Sequence, residues 1–332
     1  MNTATVIKAV VKSVPGIERV FNLHKTGGGA TLDARYCYSV WLRHLILAHE
    51  SGWTGIPGKV AELGPGDSLG VGLAALICGA EQYFAFDAVQ YRAAEVNFKV
   101  LDDLARLFRD RAPVPDGKEF PRLKPHLAEY RFPDHILAPA RVERMLDESR
   151  LRQIRNSIAM LRNGSASAPD AMITYVAPWH DVSVVRNDSV DMILSQAVLM
   201  HVDDLPQAYG TMLKWLKPGG LMSHQIDFKS VGTADTPFGH WEYSDLEWKI
   251  IRGRRSYLIN REPYSTHIKL LNACNFRIVR EIKAKDETPA DRTRLARRFR
   301  NLTPEDLQTS GLFVQAAKLT TSAPRKRCAR ER

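Results

Sequence analysis

Lys59-Val60-Ala61-Glu62-Leu63-Gly64-Pro65-Gly66-Asp67-Ser68-Leu69-Gly70 decides the fold. A short apolar run breaks on a Gly-x-Gly turn, and the small residues from Ser68 to Ala80 then read as a helix. Strand, glycine turn and helix N-terminus form the unit with which α/β proteins bring backbone close to a nucleotide-like ligand. The glycines allow conformations and approaches that a Cβ would block. A Gly-x-Gly turn alone fits a dinucleotide equally well. Glu62, two residues before Gly64, and Asp67 inside the turn tilt that balance. Carboxylates suit the ammonium of an amino-acid-bearing nucleoside and repel a pyrophosphate.

Outward from this stretch, strands and helices alternate, the pattern of a parallel sheet. Strands are predicted over Lys59–Leu63, Gln82–Phe86, Met172–Val176, Val190–Ser195, Leu221–Ile226, Phe276–Ile282 and Leu312–Leu319. The last two are placed as an antiparallel edge hairpin. Helices are predicted over Leu32–Glu50 and Arg141–Arg162. The fold class is therefore α/β: a Rossmann-like, doubly wound, mostly parallel seven-stranded sheet with a helical N-terminal extension and cap insertions. The extension spans 1–57, with Gly27-Gly28-Gly29 as a hinge, and the α/β domain spans 58–320. Caps are expected at about 100–170 and 228–264, because connections this long carry function or a subdomain of their own. Residues 321–332 read as a basic disordered tail.

Asp87 ends the second strand about 20 residues beyond the glycine turn, where an acid chelates ribose hydroxyls. Further on, Asp188-Ser189-Val190-Asp191-Met192-Ile193-Leu194-Ser195-Gln196-Ala197-Val198-Leu199-Met200-His201-Val202 precedes Trp215-Leu216-Lys217-Pro218-Gly219-Gly220-Leu221. With the glycine turn and Asp87, these segments resemble the class I S-adenosylmethionine-dependent methyltransferases, in particular the small-molecule, bacterial-like branch with large cap insertions. The resemblance covers roughly residues 59–226. Met200 departs from it, since many relatives have Glu before the His.

The resemblance implies S-adenosyl-L-methionine as cofactor and methyl transfer (EC 2.1.1.-) as activity. It implies that Glu62, Gly64 and Gly66 cradle the methionine end and that Asp87 holds the ribose. Trp179 and His180 would lie by the adenine, where an aromatic stacks on the base. Ser195 and Gln196 would sit beneath the sulfonium and face the acceptor.

A hydroxyl acceptor needs a general base, an amine at most proton removal, and a carboxylate neither. Asp227, His240 and His201 are the catalytic candidates, with His224 a further histidine of suitable type. The polar-aromatic block Gly239-His240-Trp241-Glu242-Tyr243 resembles the lining of saccharide or heterocycle pockets, which nominates Trp241 and Tyr243 for substrate binding. Arg254 and Arg255 are nominated to grip a phosphate, as Arg does bidentately. The expected acceptor is a small molecule, with a phosphorylated one in view, and a sugar or nucleotide-sugar hydroxyl as the leading choice. RNA or protein methylation, and a non-catalytic cofactor-binding scaffold, are the alternatives; an NAD-dependent dehydrogenase is the rival on the glycine turn.

A formal net charge of +10 points to anionic partners. No appended RNA-binding module is recognisable, and no Asn/Asp-Pro-Pro-Tyr or Pro-Cys motif follows the fourth strand, so nucleic acid is disfavoured as acceptor. The spacing of Cys37, Cys78, Cys274 and Cys328 matches no disulfide framework or metal site, which fits a reducing, cytoplasmic setting. No transmembrane segment and no signal peptide is expected. Val6, Ile7, Val10, Val11, Val14, Ile17, Val20 and Phe21 make an apolar helical face, so peripheral membrane contact stays open. The oligomeric state is not legible.

Overall fold

The computed structural model describes residues 30–89, 94–162, 171–179 and 183–320. The N-terminal apolar face, the Gly27–Gly29 hinge, His180 and the basic tail lie outside the described residues.

Seven strands form one sheet in the order β3-β2-β1-β4-β5-β7-β6. They are β1 (Lys59–Leu63), β2 (Gln82–Phe86), β3 (Ile173–Val176), β4 (Val190–Gln196), β5 (Leu216–Asp227), β6 (Phe276–Lys285) and β7 (Thr309–Lys318). β1 to β5 pair in parallel; β7 enters antiparallel between β5 and β6. The order reverses at β1, which is flanked by β2 and β4, and open α/β sheets bind ligands at the carboxyl ends beside such a switch point.

Helices cover both faces. On one lie α1 (Ala34–Glu50), α2 (Gly70–Ile77), α3 (Ala94–Arg109), α4 (Pro139–Met145) and α5 (Glu148–Arg162). On the other lie α6 (Leu205–Trp215) and α8 (Tyr264–Ala273). α7 (Asp245–Arg252) belongs to the segment after β5. The period-two alternation of a strand separates the two cores. Met192 and Leu194 point to the α1 face, while Ile193 and Met222 point to the α6 face.

α1 is held at its start by Asp33, whose side chain accepts from the Arg35 amide. Its Trp41, Leu42 and Leu45 are fully buried, so this helix is core rather than appendage. α2 crosses closely over β2 because of Gly72: a Cβ there would lie 2.0 Å from Cζ of Tyr83.

Two local expectations are refined. The helix predicted over Arg141–Arg162 is two, broken where Asp147 accepts from the Ser149 amide in place of a helical carbonyl. The Lys217-Pro218-Gly219-Gly220 turn lies inside β5 as a bulge. Pairing jumps from Val190↔Leu216 to Met192↔Leu221, with Gly219 at φ 79°. Cys37 and Cys78 are free and buried. No described helix is long and apolar enough to cross a membrane.

Candidate functional site

The ends of β1, β2 and β3 bring the first group of residues together. Gly64 and Gly66 adopt φ 67° and 77°, which a side chain rarely tolerates. A Cβ on Gly64 would also meet Cγ2 of Val198 at 2.5 Å, and one on Gly66 would meet Oγ1 of Thr31 at 3.0 Å. Thr31 braces the turn: its Oγ1 accepts from the Asp67 amide at 3.0 Å and the Ser68 amide at 3.3 Å. The Gly64 amide in turn donates to the Phe86 carbonyl at 2.7 Å, locking the turn to the end of β2.

Asp87 stands next to that lock. Its Oδ1 accepts from the amides of Ala88 (2.6 Å) and Val89 (3.3 Å), and the Gly66 amide bonds it as well. Burial raises its pKa and these amides partly offset the rise. The Trp179 amide donates to the Asp87 carbonyl at 3.1 Å, and the indole lies 6.3 Å from the Phe86 ring. An acid and an aromatic thus flank one glycine turn, a donor set that fits a nucleoside: the acid for ribose hydroxyls, the indole for the base.

Glu62 is almost entirely buried beneath this rim. The Tyr83 hydroxyl donates to its Oε2 at 2.5 Å and the Gly72 amide bonds it too. Burial pushes its pKa up to about 8. Both partners belong to the sheet and α2, and tie the end of β1 to β2 and the helix.

The ends of β4 and β5 hold a second group. Ser195 and Gln196 point to opposite faces. Ser195 is fully buried and bonds Nδ1 of His224 at 2.8 Å, away from the rim. Gln196 is half-buried on the α1 face, and its Nε2 donates to the Lys124 carbonyl (3.2 Å) and to Oε1 of Gln225 (3.3 Å). Its Oε1 accepts from Nε2 of His44 at 3.3 Å, while Nδ1 of His44 accepts from the Ser223 hydroxyl at 2.6 Å. Gln315 completes the chain with a 3.0 Å bond to Ser223 and a 3.1 Å bond to the His44 carbonyl. Burial lowers the His44 pKa to about 4, so the ring is a neutral tautomer fixed by its two partners.

Beyond Gln196 the chain turns sharply, with Ala197 at φ 56°. Asp227, at the end of β5, is half-buried, and burial raises its pKa. Its Oδ1 accepts from the Lys229 amide at 3.1 Å.

Residues 110–137 lie over α1 on the same face as Gln196. The Tyr38 hydroxyl donates to the Ala112 carbonyl at 2.6 Å. Arg43 donates to the carbonyls of Pro125 (2.5 Å) and Pro115 (2.8 Å), and Tyr36 meets Phe120 edge to face.

The segment after β5 uses its side chains differently. His240 is buried, bonded to Ser230 at 2.9 Å, with its pKa lowered by burial to about 3. Trp241 is fully buried, donates to the Arg261 carbonyl at 2.9 Å and stacks on Phe238. Tyr243 is buried with its hydroxyl on the Thr233 carbonyl. Arg255 donates back to the Ile251 carbonyl, and Arg254 is exposed. His201 faces the Tyr257 ring, and burial lowers its pKa. These side chains do not converge on the strand ends.

One open cleft of about 700 Å³ lies beside Glu81, Arg144 and Arg150, and another of about 450 Å³ beside Thr236, Glu242 and Arg294. Neither touches Gly64, Asp87 or Gln196. Strand-end chemistry, not volume, locates the site. No group of His, Cys, Asp and Glu among the described residues is arranged to hold a metal.

Fold and rim together describe an α/β protein whose glycine turn and Asp87 meet at a sheet switch point. The family model for the methyltransferase domain matches residues 140–223, from α4 into β5. Over those residues the chain is similar to a methyltransferase domain, in line with the resemblance of its motifs to the class I S-adenosylmethionine-dependent methyltransferases. No curated protein sequence matches it. Among solved structures it is similar to a putative sarcosine dimethylglycine methyltransferase from Galdieria sulphuraria, at 12% identity and TM-score 0.42, over 85% of this chain and 86% of that one. An S-adenosylmethionine-dependent methyltransferase from Mesorhizobium loti shares 16% identity with TM-score 0.37, over 81% and 98%. The [4+2]-cyclase SpnF shares 12% with TM-score 0.41, over 85% and 81%.

Proposed function

We propose that the chain methylates a hydroxyl of a small molecule of sugar or nucleotide-sugar type. In this reading Gly64, Gly66, Asp87 and Trp179, with His180, hold the cofactor, and Glu62 supports the turn. The observation that carries it is the cluster at the switch point: two positive-φ glycines, an acid bonded to their loop, and an indole beside it. When bound, the cofactor supplies an activated methyl on its sulfonium.

What remains for the protein is alignment and proton removal. Gln196 presents a fixed amide at the end of β4, held by His44, Gln225 and the 110–137 segment. Asp227 is the favoured base. It sits at the end of the neighbouring strand, and its raised pKa makes it a stronger proton acceptor than a solvated carboxylate. His240 and His201 are weaker candidates, because burial makes both poor bases. Residues about 100–170 and 228–264 act as caps that shape the acceptor pocket, while Trp241 and Tyr243 brace the second cap from within.

The reading is tested by transfer of labelled methyl from the cofactor to a panel of nucleotide-sugars, free sugars, amines and RNA. Labelling of a hydroxyl, lost in Asp227→Asn while cofactor affinity holds, supports it. Labelling of an amine or of RNA replaces the acceptor class. Full activity of Asp227→Asn removes Asp227 as base.

A further inference from the structure

α7 carries apolar residues on two opposite sides. Trp248 and Ile251 are buried beneath it. Leu246 and Ile250, one turn apart, lie on the outer side at 71% and 43% exposure, and Tyr257 in the following loop is 43% exposed. A helix that faces only water carries polar residues on that side.

The charges around this ridge are unevenly used. Asp245 is paired with Arg261, Glu247 caps Ser244 and Asp203 is bound bidentately by Arg252. Lys249 and Arg254 are exposed, and their side chains bond no described residue. The acids are consumed internally and two cations are left beside three exposed apolar side chains.

We propose that the outer face of α7 and the loop to Tyr257 dock on an anionic lipid-bilayer surface. Leu246, Ile250 and Tyr257 enter the interfacial layer, and Lys249 and Arg254 meet headgroup phosphates. Apolar side chains flanked by unpaired cations are the combination such a surface selects. A nucleic acid would use the cations and leave Leu246 and Ile250 in water. A second copy in two-fold contact would set Lys249 and Arg254 against themselves. The segment is anchored at the carboxyl rim, where Asn260 donates to the Leu199 and Val202 carbonyls at 2.8 Å just after β4. Docking therefore brings the strand ends to the lipid surface, and the inference stands apart from the methyl-acceptor reading.

Co-sedimentation of the full chain with vesicles tests this, comparing phosphatidylcholine alone with a mixture holding about 30% phosphatidylglycerol. The wild type is expected to bind the anionic vesicles. Leu246→Glu/Ile250→Glu should reduce that binding by about tenfold or more, and Lys249→Glu/Arg254→Glu by about threefold or more, with unchanged circular dichroism. Wild-type binding by both variants would overturn the proposal and assign lipid contact to the basic tail. Failure of the wild type to bind would overturn it too. So would a dimer of the wild type that dissociates in Leu246→Glu/Ile250→Glu, which would make the ridge a contact between copies.

Discussion

The two halves of the carboxyl rim are built from different materials. At β1, β2 and β3 the site is mainly backbone: positive-φ glycines, amides on Asp87, and a carbonyl that ties Trp179 in place. At β4 and β5 it is side chains whose partners come from distant parts of the chain. His44 reaches Ser223 across 179 residues, and Gln315 reaches His44 across 271. The first kind of site tolerates almost no change at a few positions. The second spreads its bonds over many residues, and beyond β5 Phe238, Trp241 and Phe299 pack into a small core.

Substitutions can break this contrast, beginning with the largest effect. Trp241→Ala should cost about 3–5 kcal/mol of stability, the range for emptying a fully buried Trp position. S-adenosylhomocysteine affinity should be retained wherever the variant is folded. Denaturant unfolding and calorimetry separate the two; a large loss of affinity would move Trp241 into the site.

Gly64→Ala should lose affinity as well. It adds a Cβ 2.5 Å from Val198 at a positive φ, so the turn must shift, and S-adenosylhomocysteine affinity should fall about tenfold or more on top of a stability loss of about 2–4 kcal/mol. Undiminished affinity would mean that Val198 moves freely and the turn is not rigid. Asp87→Ala is expected to weaken binding by about 1–3 kcal/mol, the range for stranding hydrogen-bonding groups.

A pH titration sharpens the contrast from the stability side. His44, His224, His240 and His267 are buried with pKa values lowered to about 4, 3, 3 and 3. The unfolded chain binds protons there that the folded chain refuses, so stability falls as pH drops below about 6.5. Glu62 has the opposite sign. Its pKa is raised to about 8, so its contribution is full at low pH and is lost as pH rises from about 4.5 through 8. Stability should therefore peak near pH 6.5, and Glu62→Gln should flatten the alkaline side only. A flat wild-type profile between pH 6.5 and 8 would contradict the Glu62 environment. The smallest effect is expected at Arg254→Ala, within about 0.5 kcal/mol in stability, because its exposed side chain bonds nothing described.

The same contrast explains what could be read from the sequence. β1 and β2 fall where expected, because an apolar run ending on glycine or aspartate leaves few other choices. The positions of the glycine turn and Asp87 at the ends of β1 and β2 follow from local spacing alone. Ser195 and Gln196 could not be told apart, because strand alternation assigns them to opposite faces only once the sheet is fixed. His44, Gln225 and Thr31 escaped notice. A polar Arg43-His44 pair inside the apolar run of α1 was the available signal, but its partners are visible only in three dimensions. The Gly239–Tyr243 block is ambiguous in sequence: a polar-aromatic cluster can line a pocket or close a small core, and Trp241 packs with Phe238 and Phe299.

The most direct test is calorimetric titration of the wild type and Asp87→Ala with S-adenosylhomocysteine, with NAD as control. The account predicts micromolar binding of S-adenosylhomocysteine to the wild type, about 10- to 100-fold weaker binding to Asp87→Ala, and none of NAD. Binding of NAD, or equal affinity in the folded Asp87→Ala variant, would contradict it.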